Sequence, residues 1–118
     1  MSLGMNIELT ALSKRDLIKW VMKKESVSAK EACDLMGTSS VEYFSNKLYR
    51  DSFSFEDIVW LFSNLGYHTV FVKDNDIIVL KADEMIKSSN PVMYARTKQA
   101  YDNKLKKKME WVAKNVGN

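Results

Sequence analysis

The chain has 118 residues, a net charge of +3, a single cysteine and a single histidine. That length sets an expectation of one domain; a lone cysteine excludes an internal disulfide and fits a reducing cytoplasm, and one histidine beside one cysteine leaves no ligand set for a conventional zinc site. A hydrophobic fraction of 46% is ordinary for a globular chain, the apolar runs are too short for a transmembrane helix, and no basic segment followed by an apolar one marks a secretory leader.

Met5 offers a second start, so residues 1–4 are set aside and 1–12 are read as a tail. Ser13 followed by Asp16 starts a helix over about 14–24, with Leu17, Ile18, Val21 and Met22 at helical spacing. Its outer face is basic: Lys14, Arg15, Lys19, Lys23 and Lys24. Ser28 with Glu31 makes a capping-box start, and Ala29 to Met36 gives about two turns of helix. Cys33 sits mid-helix as a small buried residue. Gly37 supplies the left-handed residue that ends the helix. Thr38 and Ser39 follow as N-cap candidates for a helix from about Ser40 to Tyr49. There Phe44 and Leu48 face inward with Val41 beside them. Glu42, Ser45, Asn46 and Tyr49 face out, with Tyr43 and Lys47 at the margins. A helix, a short turn with glycine and a second helix is the helix-turn-helix pattern. Ser54 with Asp57 opens another helix over about 55–64, carrying Ile58, Leu61 and Phe62, and Gly66 is its stop.

The character then changes. Residues 67–73 and 77–81 are rich in β-branched and aromatic side chains, and Asp74-Asn75-Asp76 between them is a turn cluster. The second strand is apolar on both faces. Such a hairpin is expected to be covered on both sides, by the helical core on one and by a C-terminal helix or a second copy on the other. Residues 82–87 read as a short helical turn. Asn90-Pro91 then caps a helix from about 92 to 114, with Tyr94, Tyr101, Leu105, Met109 and Val112 as a narrow stripe. The expected fold class is mainly α: a compact helix-turn-helix domain of four to five helices over 13–66, a β-hairpin over 67–81, and a long C-terminal helical extension over 82–118.

Catalysis finds little support: the acids are scattered, His68 lies in a strand beside no nucleophile, and four glycines make no phosphate-cradling loop. Recognition is the better expectation. In a helix-turn-helix the second helix enters the major groove while the first crosses the backbone. The exposed candidates are Ser39, Ser40, Glu42, Tyr43, Asn46 and Lys47 for base edges, and Lys30, Lys47 and Arg50 for phosphates. Residues 27–53 nevertheless carry Lys30, Lys47 and Arg50 against Glu31, Asp34, Glu42 and Asp51, a net of −1. The positive charge lies elsewhere. Residues 91–118 hold Arg96, Lys98, Lys104, Lys106, Lys107, Lys108 and Lys114 against Asp102 and Glu110, a net of +5.

The segments SAKEACDLMG and TSSVEYFSNKLYRDSFSFEDIVWLFSNLGYHTVFV resemble the Cro/C1-type, phage-repressor-like family of helix-turn-helix regulators, in its small bacterial and prophage subgroup. The resemblance spans about residues 13–73 and rests most on NKL-x-RD-x-F-S and on the LGY before a strand. It implies that the helix from Ser39 to Leu48 reads the groove, with Asn46 and Lys47 on or near DNA and Leu48 in the core. The chain departs from the family by one extra residue between Gly37 and Phe44 and by the hairpin after Gly66. The resulting expectation is a sequence-specific, double-stranded-DNA-binding transcriptional regulator of the cytoplasm. It needs no cofactor and acts as a homodimer through the hairpin or the C-terminal helix. The alternative is a protein-interaction module, antitoxin-like or a prophage accessory factor, whose helix-turn-helix does not bind DNA.

Overall fold

The computed structural model describes residues 13–116; the tail over 1–12 and the last two residues lie outside the described residues. The order is α1 (Lys14–Lys24), α2 (Ala29–Met36), α3 (Val41–Tyr49), α4 (Phe55–Asn64), β1 (Val70–Lys73), β2 (Asp76–Val79), α5 (Ala82–Ser89) and α6 (Pro91–Val116). The chain is mainly helical, with one small antiparallel hairpin and a long C-terminal helix, as its composition and spacing led us to expect. No helix among the described residues is long and apolar enough to cross a membrane.

Local caps set the helix starts. Ser13 accepts from the Asp16 N–H, Ser28 and Glu31 close a capping box, and Ser54 and Asp57 close another. Each satisfies backbone donors that the first helical turn leaves without partners. Asn90 does the same for α6, accepting the Met93 N–H at 3.1 Å, and Pro91 occupies the first helical position, where a missing N–H costs nothing. Gly66 (φ 93°) follows the end of α4 in the left-handed region.

Helices α1 to α4 bury one core: Ile18, Val21, Ala32, Cys33, Met36, Phe44, Phe53, Ile58 and Leu61. The Phe44 and Phe53 rings meet at 5.5 Å between centroids. The other side of α4 carries Trp60, which with Ile86 and Met93 forms a second core against α5 and α6. A two-turn helix over Ala82–Ser89 thus stands where the spacing suggests only a turn, because Ile86 has a buried place against Trp60.

Gly37 joins these two layers. It ends α2 with φ 73°, as its position leads one to expect. It also lies under α6: a Cβ there would come within 2.1 Å of the Met93 carbonyl oxygen, 2.4 Å of Thr97 Oγ1 and 2.9 Å of the Thr97 nitrogen. Two of these three are backbone atoms, so α6 could not stay where it is over any side chain. Trp60 Nε1 donates to Thr97 Oγ1 at 3.0 Å, and the Thr97 hydroxyl donates to the Met93 carbonyl at 3.0 Å. Asn64 Nδ2 donates to the Leu35 carbonyl, which satisfies an acceptor at the end of α2. Farther along α6, Lys104 lies 3.7 Å from Asp34.

The hairpin departs from expectation. Val70 pairs with Val79, Phe71 with Ile78, Val72 with Ile77 and Lys73 with Asp76. The turn is therefore two residues, Asp74-Asn75, and Asp76 belongs to β2. Val70, Phe71, Val72, Ile77, Ile78 and Val79 are all 41–67% exposed. The expected cover by the helical core is absent: no strand residue belongs to either core, and α5 and α6 pack on the outer side of α4 instead. Its base is tied down at Tyr67. Tyr67 packs edge-on against Phe62 and links Lys24 (2.8 Å) to Glu25 (2.6 Å) through its hydroxyl. The Tyr67 hydrogen bond is the main reason the Lys24 ammonium sits above its usual pKa and the Glu25 carboxyl below its own.

Gly37→Ala tests the seat of α6. It forces a left-handed backbone on alanine, about 1–2 kcal/mol, and drives a methyl into α6, about 1–3 kcal/mol more. Urea unfolding followed by circular dichroism should show a midpoint lowered by an amount corresponding to about 2–5 kcal/mol in all.

Candidate nucleic-acid interface

Helix α3 is fixed at both ends. Its N-cap is Ser40, in extended conformation, whose Oγ accepts the Tyr43 N–H at 3.0 Å. This corrects the assignment of the cap to Thr38 or Ser39. Thr38 is buried, with its hydroxyl 3.0 Å from Cys33 Sγ, so its side chain serves the end of α2. Gly37 to Ser40 separate the two helices. The N–H groups of Val41 and Glu42 have no partner within the helix and lie beside the exposed Ser39 and Ser40.

At the far end, Asp51 takes the left-handed conformation (φ 55°). Its carboxylate accepts the Arg15 backbone N–H at 2.8 Å, and Arg15 Nη1 donates to the Tyr49 carbonyl at 3.0 Å. Lys14 Nζ donates to the Phe53 carbonyl. The N-terminus of α1, where a helix carries partial positive charge, thus holds an anionic side chain at the corner between α3 and α4. Neither Arg15 nor Asp51 is singled out by the sequence reading. Asp51 sits in the loop after a helix, and only the tertiary fold brings α1 to it.

Between these fixed ends, α3 turns Phe44 into the core and rests Val41 and Leu48 against it. The opposite side is open. Ser39, Ser40, Glu42, Tyr43, Asn46 and Arg50 are all exposed. Glu42, Asn46 and Arg50 follow at four-residue steps, with Tyr43 alongside, so these side chains share one stripe. Two of the sequence-derived candidates stand apart. Lys47 is half-buried, its ammonium 5.6 Å from the Tyr43 ring centroid and 5.4 Å from that of Phe53. Lys30 lies on α2, 3.8 Å from Asp34, the same carboxylate that faces Lys104 of α6. The stripe itself carries one acid and one base, so it is polar without net charge.

A second set of polar residues adjoins this region. Arg96, Gln99 and Asn103 of α6 line a shallow cleft with Cys33, Asp34, Gly37 and Thr38. The sequence reading places these three only within a basic extension. Their shared face could have been found from the spacing 96, 99 and 103, but not its location beside the turn. Among the described residues no group of three or more His, Cys, Asp or Glu side chains is placed to hold a metal ion.

The Asp51 anchor has its own test. Asp51→Ala removes an acceptor at the start of α1 and strains the backbone, so stability should fall by about 1–2 kcal/mol. Asp51→Asn keeps an acceptor and tolerates the left-handed region, so it should lose less than half as much by thermal unfolding.

No family model, curated protein or solved structure matches this chain.

Proposed function

We propose that the chain is a sequence-specific DNA-binding regulator that acts as a homodimer, with α3 as the helix that enters the major groove. One observation carries the reading: the stripe of Ser39, Glu42, Tyr43, Asn46 and Arg50 is exposed along its whole length, on a helix fixed at both ends. An exposed polar helix face with no partner in its own fold is suited to external contact. Its residue types are those that read base edges: Asn pairs with adenine, Glu accepts from cytosine, Ser serves several edges. The resemblance of residues 13–73 to Cro/C1-type regulators supports the same helix.

The homodimer is proposed to form through the hairpin. Six of its eight strand residues are exposed and apolar. A second copy laid against one face would take apolar surface of both chains out of water, toward the roughly 1,000 Å² that a specific interface needs. Val70, Val72, Ile77 and Val79 share one face and make it wholly aliphatic; Lys73 and Asp76 fall on the other. The exposed hairpin also favours the second reading, a protein-interaction module with no role for DNA.

Selection of bound fragments from random duplex DNA separates the two. A regulator should return a symmetric site with half-sites about one helical turn apart. On that site Asn46→Ala with Lys47→Ala should weaken binding by about 10- to 100-fold with dimerisation intact. Recovery of no sequence at low salt would favour the interaction module. Ile77→Lys should shift the protein to a monomer in sedimentation equilibrium without loss of helical circular dichroism, since no hairpin residue belongs to either core.

A further inference from the structure

A helix that reads bases but lacks positive charge leaves most of the binding free energy to come from elsewhere, because phosphate neutralisation supplies nearly all non-specific affinity for DNA. We propose that the outward row of α6, from Arg96 through Gln99, Asn103 and Lys107 to Lys114, is a second DNA contact that grips backbone phosphates beside the groove entered by α3. This inference rests on the DNA-binding reading of α3.

The row exists because 96, 99, 103, 107 and 114 recur at steps of three, four and seven, which keeps them on one side of a helix. All five side chains are exposed. One flank of the row is already committed: Met93 and Thr97 are buried over Gly37 and against Trp60, and Lys104 faces Asp34. The row thus borders the body at Arg96, Gln99 and Asn103, which line the cleft beside Gly37 and Thr38, and continues past it through the exposed Lys107 and Lys114. It carries three cations and two amides, with Glu110 as the acid among them. Amide and cationic side chains are the usual donors to phosphate oxygens.

Its placement ties it to α3. The approach of α6 to Gly37 brings Arg96, Gln99 and Asn103 into one cleft with Thr38, and Thr38 stands two residues before the Ser40 cap. A duplex seated on the N-terminus of α3 passes this end of the row. From Arg96 to Lys114 the helix then spans about 27 Å at 1.5 Å per residue, enough to follow several consecutive phosphates. A lipid surface fits the row less well, since interfacial helices bury apolar residues on the face they present. The exposed apolar residues Tyr101, Leu105, Met109 and Val112 form a different stripe of α6.

The test is the salt dependence of binding to the duplex recovered by selection, followed by fluorescence anisotropy between 50 and 200 mM salt. Arg96→Ala/Lys107→Ala/Lys114→Ala removes three phosphate partners per copy, six per dimer, so the slope of log K against log salt should become shallower by about 5. Base preference should be unchanged, and circular dichroism should match the wild type because all three residues are exposed. A control triple, Lys19→Ala/Lys23→Ala/Lys73→Ala, removes the same charge from α1 and the hairpin and should leave the slope nearly intact. An unchanged slope in the α6 variant overturns the inference, as does an equal loss in the control, which would mean that only net charge matters. If the wild type binds no DNA even at low salt, α3 and α6 fail together, and that result is visible before any variant is made.

Discussion

The contact on which the structure depends is the approach of α6 to Gly37. Only a residue without a Cβ lets the Met93 carbonyl and the Thr97 nitrogen come so near. Thr97 then does two things in the same place: it receives the Trp60 indole N–H and returns its own hydroxyl to Met93. Buried polar groups cost roughly 1–3 kcal/mol when left unpaired, so Trp60 and Thr97 require each other. Through them the second core is locked onto the outer side of α4 while Ile58 and Leu61 of the same helix hold the first. One glycine, chosen locally as a helix stop, thereby fixes the course of a 26-residue helix.

The same constraint bears on α3. The turn that leads into it begins at Gly37, so whatever clamps Gly37 also clamps the start of α3. Its end is clamped separately by Asp51 and Arg15 from α1. A recognition surface benefits from this arrangement, because side chains on a fixed helix lose little freedom on binding. The division that follows is physical: α3 has geometry and a near-neutral polar stripe, while charge has accumulated on α6, where no base-reading geometry is required of it. In the DNA-binding reading, base choice and affinity are therefore served by different elements.

Much of this was legible in local sequence. Ser13, Ser28, Ser54, Asn90 and Pro91 each mark a helix start through interactions spanning three or four residues, and each helix begins where they stand. The period of Ile58, Leu61 and Phe62, and of Phe44 and Leu48, correctly assigns the inward faces. What local pattern could not supply was distance. Trp60 reads as added bulk on an apolar helix, and only its partner at Thr97, 37 residues on, makes it the centre of a second core. Asp51 reads as a loop acid until α1 reaches it. The N-cap of α3 reads as Thr38 or Ser39, both competent cap residues; Ser40 takes the place instead, while Thr38 is drawn inward to Cys33.

The hairpin is where sequence logic and the single chain part company, and the disagreement is informative. Two four-residue strands joined by a two-residue turn are marginal in water by themselves, and here none of their residues is buried by the described residues. The pairing is held at its base by Leu80 N–H donating to the Thr69 carbonyl at 2.9 Å and by Tyr67, which Lys24 and Glu25 tether to the end of α1. Those ties fix where the hairpin leaves the body while its strand residues stay exposed. An exposed, apolar strand edge is a hazard that soluble chains ordinarily suppress with charge or proline, yet here only Lys73 and Asp76 near the tip interrupt the apolar positions. In the proposed homodimer, a second copy would supply the cover that such a strand pair needs. A partner seated there would stabilise the hairpin by mass action. Because Tyr67 links its base to α1, and α1 in turn clamps α3, a symmetric pair of hairpins would also set the distance between two copies of α3.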